Sequence, residues 1–166
     1  MEPSIEIRRM VISDVDAVAH LYGEILDATY ISFSELSEGK ATGPDEVSDR
    51  ASAIFREQLA SGIPGSQPGW FVAAIGENIV GFVLASLHQA EARHIECWVD
   101  DVGVSHAWRR RGIATLLLRR ALDWGVSEGV EYFLLESGRQ NESAHRLFKH
   151  LGFKPLSMVF WRSTKE

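Results

Sequence analysis

The spacing of apolar residues along this chain alternates between the two-residue period of strands and the longer period of helices. Runs rich in β-branched and aromatic residues predict strands at residues 5–10, 70–75, 79–87, 95–104, 132–137 and 153–162. The second and third of these runs are separated by Gly76-Glu77-Asn78, a sequence typical of a hairpin turn. A sheet with several antiparallel neighbours is therefore expected.

Apolar residues recur at helical spacing in four other stretches, at residues 13–26, 44–60, 113–124 and 141–151. With the strands, these helices give the order β-α-α-β-β-β-α-β-α-β along one domain of residues 1–166. Strands and helices that mix irregularly pack best as layers. The sequence therefore predicts an α/β fold in which one central mixed sheet carries helices on both faces.

The stretch from the fourth predicted strand into the third predicted helix contains a candidate ligand-binding site. Arg109, Arg110 and Arg111 follow the strand that ends in Val104, and Gly112 precedes the helix. The start of a helix presents unpaired N–H groups and about half a positive charge, and guanidinium groups add charge-assisted contacts. This arrangement predicts a phosphate-binding site.

Neither of two common phosphate-loop motifs is present. No Lys-Ser or Lys-Thr follows Gly112, and G-x-G-x-x-G is absent. The sequence Arg109-x-x-Gly112-x-Ala114 instead resembles the acetyl-coenzyme A loop of the GNAT superfamily of N-acyltransferases, written [QR]-x-x-G-x-[GA]. A short motif of common residues is also compatible with a basic helix start on a solvated surface, so a second motif is needed.

That second motif lies near the end of the chain and reads Asn141-x-x-Ala144-x-x-Leu147-Phe148-x-x-x-Gly152-Phe153. It is similar to the family's C-terminal signature, N-x-x-A-x-x-[LF]-[YF]-x-x-x-G-F, and the predicted order of elements resembles the GNAT fold from end to end. The resemblance implies an N-acetyltransferase that moves an acetyl group from acetyl-CoA to a primary amine. No G-x-S-x-G nucleophile motif is present, which favours direct attack by the amine in a ternary complex over an acyl-enzyme, and no metal is expected.

The resemblance carries the family's coenzyme site onto a set of residues in two strands, one loop and one helix. In the family, the strand before the loop splays from its neighbour and leaves backbone groups for the pantetheine arm. The implied coenzyme-binding residues are Val102, Val104, Arg109, Arg110, Arg111, Gly112, Ile113, Ala114, Thr115, Asn141, Ser143 and Phe148. The N–H of Val102 is in addition a candidate donor to the acetyl carbonyl oxygen. Gly103 beside it marks either a bulge or a close approach of ligand.

Transfer to an alkylamine needs a group that removes a proton from the ammonium form. Glu136 and Asp100 are equal candidates, and the alternative for each is a solvated or salt-bridged residue at a strand end. Strict alternation places Asp100 on the face of Val102, whereas Asp101 is expected to point the other way. Phe148 departs from the family pattern, because many relatives carry there a tyrosine that protonates the departing thiolate.

Composition limits the partners. The 166 residues include 23 acidic and 17 basic side chains, a net charge of −6, which disfavours a general nucleic-acid binder. The single cysteine, Cys97, excludes an internal disulfide, and the histidines form no set of metal ligands. No apolar run approaches the ~20 residues of a membrane span, and the first residues do not resemble a signal peptide. A cytoplasmic protein without a membrane partner is expected.

The acceptor is expected to be a small-molecule or peptide amine. Glu35 and Glu38, in an acidic stretch, favour a cationic one. A homodimer is left open. Two other functions are also considered. The absence of a tyrosine at Phe148 favours a non-catalytic domain that binds acyl-CoA as a sensor, and the arginine cluster is compatible with an RNA-binding accessory domain.

Overall fold

The computed structural model describes residues 4–63, 69–91 and 93–165, and its centre is a five-stranded sheet in the order β1-β4-β5-β6-β7. Its strands are β1 Glu6–Arg9, β4 Phe71–Ile75, β5 Asn78–Gln89, β6 Ile95–Val104 and β7 Tyr132–Leu135. A separate hairpin consists of β2 Ala41–Gly43 and β3 Glu46–Val47. The helices are α1 Val15–Ile25, α2 Phe33–Ser37, α3 Ala51–Gly62, α4 Ile113–Ser127 and α5 Glu142–His150, with short 3-10 turns at Ile12–Asp14 and His106–Trp108.

The central sheet is mixed, as expected. The first three pairings in the sheet are antiparallel, whereas β6 and β7 are parallel. The parallel pairing ends where Val99 faces Leu135, although β6 continues to Val104. The last five residues of β6 therefore separate from β7, which agrees with the splay that the resemblance implies.

Helices cover both faces of the sheet, and alternate residues of its strands show which helices lie on which face. Phe71 and Val83 belong to a core cluster that includes residues of α4 and α5. Their neighbours Val72 and Phe82 belong to the cluster that includes residues of α1 and α3. The period-two pattern of the strands thus divides the core into two layers. Among the described helices, none has the length and apolar character that a bilayer crossing requires.

Two predictions about the elements are wrong. The predicted helix at residues 44–60 begins only at Ala51, because Pro44 follows Gly43 in the turn of the β2–β3 hairpin. The strand predicted at residues 153–162 is not formed, and Phe160 there is 87% exposed. β-propensity alone does not make a strand, since a strand also needs a partner edge and a surface to bury.

Strand β6 contains a bulge that the sequence did not locate. Ala85 of β5 faces Val99, and the preceding Leu84 faces Asp101, so Asp100 is the extra residue. Gly103, the predicted site of a bulge or a ligand approach, has another role. A Cβ on Gly103 would lie 2.2 Å from Cδ1 of Ile25, so the glycine lets α1 pack closely on the sheet.

Candidate active site

The predicted phosphate loop leads directly into α4. Gly112 has a φ of +77°, a left-handed conformation that strongly favours glycine. The first helical hydrogen bond runs from the N–H of Leu116 to the carbonyl of Gly112 at 3.0 Å. The N–H groups of residues 113–115 therefore lie ahead of the helical ladder, where they are available to an anion. A Cβ on Gly112 would meet no atom within 4 Å, so the space above the loop is open.

The three arginines before Gly112 differ in their contacts. Nε of Arg109 donates to the carbonyl of Val104 at 3.3 Å, which holds this side chain against the end of β6. The guanidinium of Arg111 lies 4.8 Å from the ring centre of Trp108. Arg110 is exposed and has a φ of +64°. Arg109 and Arg111 are therefore anchored beside the loop by protein contacts, and all three keep the positive charge there.

A cleft opens where β6 leaves β7, and we call it the β6–β7 cleft. Val102 and Glu136 line its strand side, and Asn141 and Phe148 line it from α5. Oδ1 of Asn141 accepts the N–H of Ala144 at 3.4 Å and so caps α5. The cleft brings together one of the predicted backbone positions, two of the three predicted positions of the α5 segment and both predicted carboxylates, Asp100 and Glu136.

Other residues of the predicted coenzyme site lie outside the lining of this cleft. Ser143 is exposed on the first turn of α5. Val104 is packed in the core cluster with Ile113 and Phe148, which joins the phosphate loop and α5 to the same face of the sheet. The loop and the α5 wall of the cleft therefore lie on one hydrophobic layer.

Glu136 lies just beyond β7 and faces the segment around α2. Its Oε2 atom accepts hydrogen bonds from Ser34 Oγ at 2.8 Å and from the Ser34 N–H at 3.1 Å, and it lies 3.2 Å from Ser32 Oγ. One oxygen of this predicted proton acceptor thus holds the α2 segment against the end of β7.

The bulge in β6 brings Asp100 and Asp101 to the same side. Both line the β6–β7 cleft. They also line a neighbouring cavity that extends to Phe55 of α3 and to Trp70, which we call the α3 cavity. The prediction that Asp100 shares the face of Val102 is therefore wrong, because the extra residue interrupts the alternation on which it rested. Asp101 points away from Val102, as predicted. Asp100 is exposed and its Oδ2 accepts the hydroxyl of Ser86 at 2.7 Å.

Asp101 is buried, with 9% of its surface exposed, and its Oδ1 accepts the hydroxyl of Tyr30 at 2.8 Å. Burial raises the pKa of Asp101 to about 7, and the ammonium of Lys40 and the hydrogen bond from Tyr30 oppose this rise. Burial also raises the pKa of the Tyr30 hydroxyl well above its usual range. At neutral pH the Asp101 carboxyl is therefore partly protonated, while the Tyr30 hydroxyl keeps its proton.

Lys40 connects the two cavities. It is only 2% exposed, it forms an ion pair with Glu38, and its ammonium lies 5.0 Å from the ring centre of Phe55. Sequence reasoning did not single out Lys40, Tyr30 or Ser34, although the resemblance implies an acceptor site that includes residues 26–39. They lie in or beside a stretch with no clear helical or strand period, so no local pattern indicated where their side chains meet β6.

The β6–β7 cleft and the α3 cavity share a wall formed by Glu38, Lys40, Asp100 and Asp101. The α3 cavity extends from this wall towards Phe55 and Trp70. Carboxylates outnumber the single ammonium on the wall, so an incoming cation is favoured there.

Comparison with models of known protein families identifies the family in which this combination of strand, loop and helix occurs. The model of the acetyltransferase (GNAT) family matches residues 31–153, which include β6, the arginine loop and α5. The chain belongs to the acetyltransferase (GNAT) family. The resemblance inferred from the two sequence motifs is thereby confirmed.

Curated relatives of this GNAT chain match over part of their length. An N-alpha-acetyltransferase 30 from Xenopus laevis is 30% identical over 50% of this chain and 30% of that protein. An L-2,4-diaminobutyric acid acetyltransferase from Marinococcus halophilus is 34% identical over 50% of this chain and 47% of that protein. The matches thus span less than half the length of either relative.

Solved structures agree with the GNAT fold over nearly the whole chain. An aminoglycoside N-acetyltransferase in complex with CoA superposes with a TM-score of 0.69 at 17% identity, over 99% of this chain and 97% of that one. A ribosomal-protein-alanine N-acetyltransferase from Brucella melitensis superposes with a TM-score of 0.69 at 19% identity, over 96% and 100%. At these identities the likeness establishes the fold.

Proposed function

We propose that this GNAT protein is an N-acetyltransferase that moves an acetyl group from acetyl-CoA to a primary amine by direct attack in a ternary complex. The observation that carries the proposal is the β6–β7 cleft, whose α5 wall lies on the same layer as the start of α4 and which shares an acidic wall with a second cavity. Acetyl-CoA in the β6–β7 cleft and the amine in the α3 cavity would then both reach the wall that the two cavities share.

The residues present fit acetyl-CoA. The N–H groups of residues 113–115 and the arginines before Gly112 offer an anion site of the kind that a pyrophosphate requires. The part of β6 that has left β7 offers backbone groups at Val102 for an extended arm, and Phe148 offers an apolar wall. When bound, the coenzyme supplies a thioester-activated acetyl group.

The charge of the shared wall favours a cationic amine as the acceptor. Glu38, Asp100 and Asp101 face the cavities there with Lys40 as the opposing charge. One relative is named an N-alpha-acetyltransferase and another a diaminobutyric acid acetyltransferase, and a structural neighbour is named an aminoglycoside N-acetyltransferase. Each of these names indicates an amine as the acceptor. A primary ammonium compound, small molecule or peptide, is therefore the proposed acceptor class.

The reaction needs one group that removes a proton from the ammonium and a source of the proton for the departing thiolate. Glu136 and Asp100, the acceptors expected from the sequence, both line the β6–β7 cleft, and their catalytic role stays a prediction. Phe148 has no dissociable proton, so we propose that solvent protonates the departing thiolate. Cytoplasmic localisation and the oligomeric state also stay predictions.

Calorimetric titration with acetyl-CoA, and then with free CoA, tests the coenzyme half of the proposal. Micromolar binding of both ligands is the expected result, and absence of binding at millimolar ligand would overturn it. The acceptor half is tested by thiol release with a panel of L-2,4-diaminobutyrate, sisomicin and a peptide with a free N-terminus. Tight binding of acetyl-CoA without transfer to any of a broad set of amines would favour the non-catalytic sensor instead.

A further inference from the structure

We propose that Asp101 is the proton acceptor that converts the incoming ammonium to a nucleophilic amine, and that Tyr30 positions it. This assignment rests on the proposed acetyl transfer and goes beyond the carboxylates expected from the sequence. It is carried by the position of Asp101, by the hydrogen bonds of the surrounding carboxylates and by the burial of the side chain.

The position of Asp101 is the first argument. It lies on the wall that the β6–β7 cleft and the α3 cavity share, so a substrate in either cavity can reach it. It also precedes Val102, whose N–H is the expected donor to the acetyl carbonyl oxygen. The hydroxyl of Tyr30 lies 2.8 Å from Asp101 Oδ1 and 3.4 Å from the carbonyl of Val102, so one side chain fixes both neighbours.

The hydrogen bonds of the other carboxylates at the cleft are the second argument. Oε2 of Glu136 accepts two hydrogen bonds from Ser34 and lies 3.2 Å from Ser32 Oγ. Glu35 accepts the N–H and hydroxyl of Ser32, both at 2.7 Å, and belongs to the start of α2.

Glu38 is engaged by an ion pair, whereas Asp100, like Asp101, accepts one hydrogen bond within the described residues and differs from it in being exposed. Glu38 pairs with Lys40, and Asp100 is exposed and bonded to Ser86. Asp101 uses only Oδ1, towards Tyr30. Within residues 4–63, 69–91 and 93–165, Oδ2 of Asp101 accepts no hydrogen bond, which leaves it available to an ammonium.

The environment of Asp101 is the third argument, and it sets the pH at which the group works. The charged and titratable groups that act on it are Tyr22 of α1, Tyr30 before α2, Glu35 of α2, Glu38 and Lys40 after α2, and Asp100 of its own strand. Burial and the neighbouring glutamates raise the pKa of Asp101 to about 7. A base with such a pKa is partly ionised near neutral pH and still binds a proton well, which suits general base catalysis.

The proton balance of the step is simple. One N–H bond of the ammonium breaks, its electron pair stays on nitrogen, and an O–H bond forms on Asp101. Formation of the amide removes a further proton from nitrogen, and the departing thiolate takes up one proton. The proton on Asp101 returns to solvent, which restores the carboxylate for the next cycle.

The test compares Asp101→Asn with Asp100→Asn and Glu136→Gln, and uses Asp123→Asn, an exposed position on α4, as the matched control. For each protein, kcat/KM is measured from about pH 6 to about pH 9 with the panel compound that the wild type acetylates fastest. Acetyl-CoA binding is measured in parallel by calorimetry. Circular dichroism and thermal unfolding verify that each variant is folded.

We expect Asp101→Asn to lower kcat/KM roughly 100-fold near neutral pH, with acetyl-CoA affinity within about twofold of wild type. The wild-type rise of kcat/KM with pH through about 7 should disappear in this variant. The difference in kcat/KM between Asp101→Asn and wild type should become smaller towards high pH, because more of the amine is then already unprotonated. The control should match wild type.

Tyr30→Phe provides a readout that a purely structural role would not change. The hydroxyl of Tyr30 lowers the pKa of Asp101, so its removal should shift the rise of kcat/KM to higher pH. A larger loss in Asp100→Asn or Glu136→Gln, or an unchanged pH profile in Asp101→Asn, would overturn the assignment. If the wild type transfers acetyl to no amine, the proposed function itself fails, which is a different result.

Discussion

The carboxylate of Glu136 accepts the hydroxyl of Ser34 at 2.8 Å and so joins the end of β7 to the first turn of α2. The same two segments meet again at Gly138, where an added Cβ would lie 2.3 Å from the carbonyl oxygen of Thr29. Arg139 adds an ion pair with Asp45 at 3.1 Å. The segment that contains α2 is therefore held against the β7–α5 connection beside the cleft.

Glu136→Ala and Ser34→Ala test this junction. We expect the first change to lower the free energy of unfolding by about 2 kcal/mol and the second by about 1 kcal/mol, because Glu136→Ala removes the acceptor of two charge-assisted hydrogen bonds and Ser34→Ala removes a single hydroxyl donor. Urea unfolding of both variants and of the double variant gives the coupling energy. Additive effects would mean that the two side chains do not act together.

Asp101→Asn is expected to stabilise the protein at neutral and alkaline pH. The pKa of Asp101 rises from its ordinary 3.8 to about 7 on folding, so the folded state binds its proton more tightly than the unfolded state. The contribution of protonated Asp101 to the free energy of unfolding is therefore fully present below pH 3.8. This contribution is lost as the pH rises through about 7, where Asp101 ionises in the folded protein. Asparagine does not titrate and avoids that loss.

The resulting difference between the two proteins is on the order of 2–4 kcal/mol above neutral pH and vanishes in acid. Thermal unfolding near pH 8 and near pH 4 measures it, with Asp123→Asn as the control for the change of net charge. A variant that is less stable than wild type at both pH values would contradict the raised pKa. Stability gained together with lost turnover would show that the buried carboxylate is kept for function.

Gly112→Ala separates backbone strain from coenzyme binding, because Gly129 offers a matched control on the same helix. Both glycines have a positive φ, +77° and +80°, and a Cβ at either would meet no atom within 4 Å. Each substitution should cost roughly 1 kcal/mol of stability. Only Gly112→Ala should weaken acetyl-CoA binding in calorimetry, since Gly129 lies at the opposite end of α4. Equal affinities for the two variants would place the phosphate elsewhere.

Phe148→Tyr tests whether proton supply to the thiolate limits turnover. The ring of Phe148 is 8% exposed and lines the β6–β7 cleft, so a phenol there would bring a proton donor to the coenzyme side. We expect kcat to rise about tenfold with unchanged acetyl-CoA affinity. Phe153→Tyr is the control, because its ring lies 6.2 Å from that of Phe148 and is not part of the cleft lining. Lower coenzyme affinity in Phe148→Tyr would mean that the ring is packed too tightly for a hydroxyl.

The prediction of the fold from sequence succeeded where local patterns and burial agree. The alternation of Phe71, Val72, Phe82 and Val83 between two core layers follows directly from the period of a strand. It failed at residues 44–50 and at 153–162, where a proline turn and the absence of a partner strand overrode propensity.

The sequence by itself determined the order of the main elements, the loop before α4 and the signature on α5, because spacing along the chain specifies each of these. Tertiary structure alone decided which carboxylates share a wall. The bulge at Asp100 depends on the pairing of β6 with β5, and the bond from Tyr30 to Asp101 joins residues 71 positions apart. Such contacts follow from how whole elements pack, so no local pattern of residues encodes them.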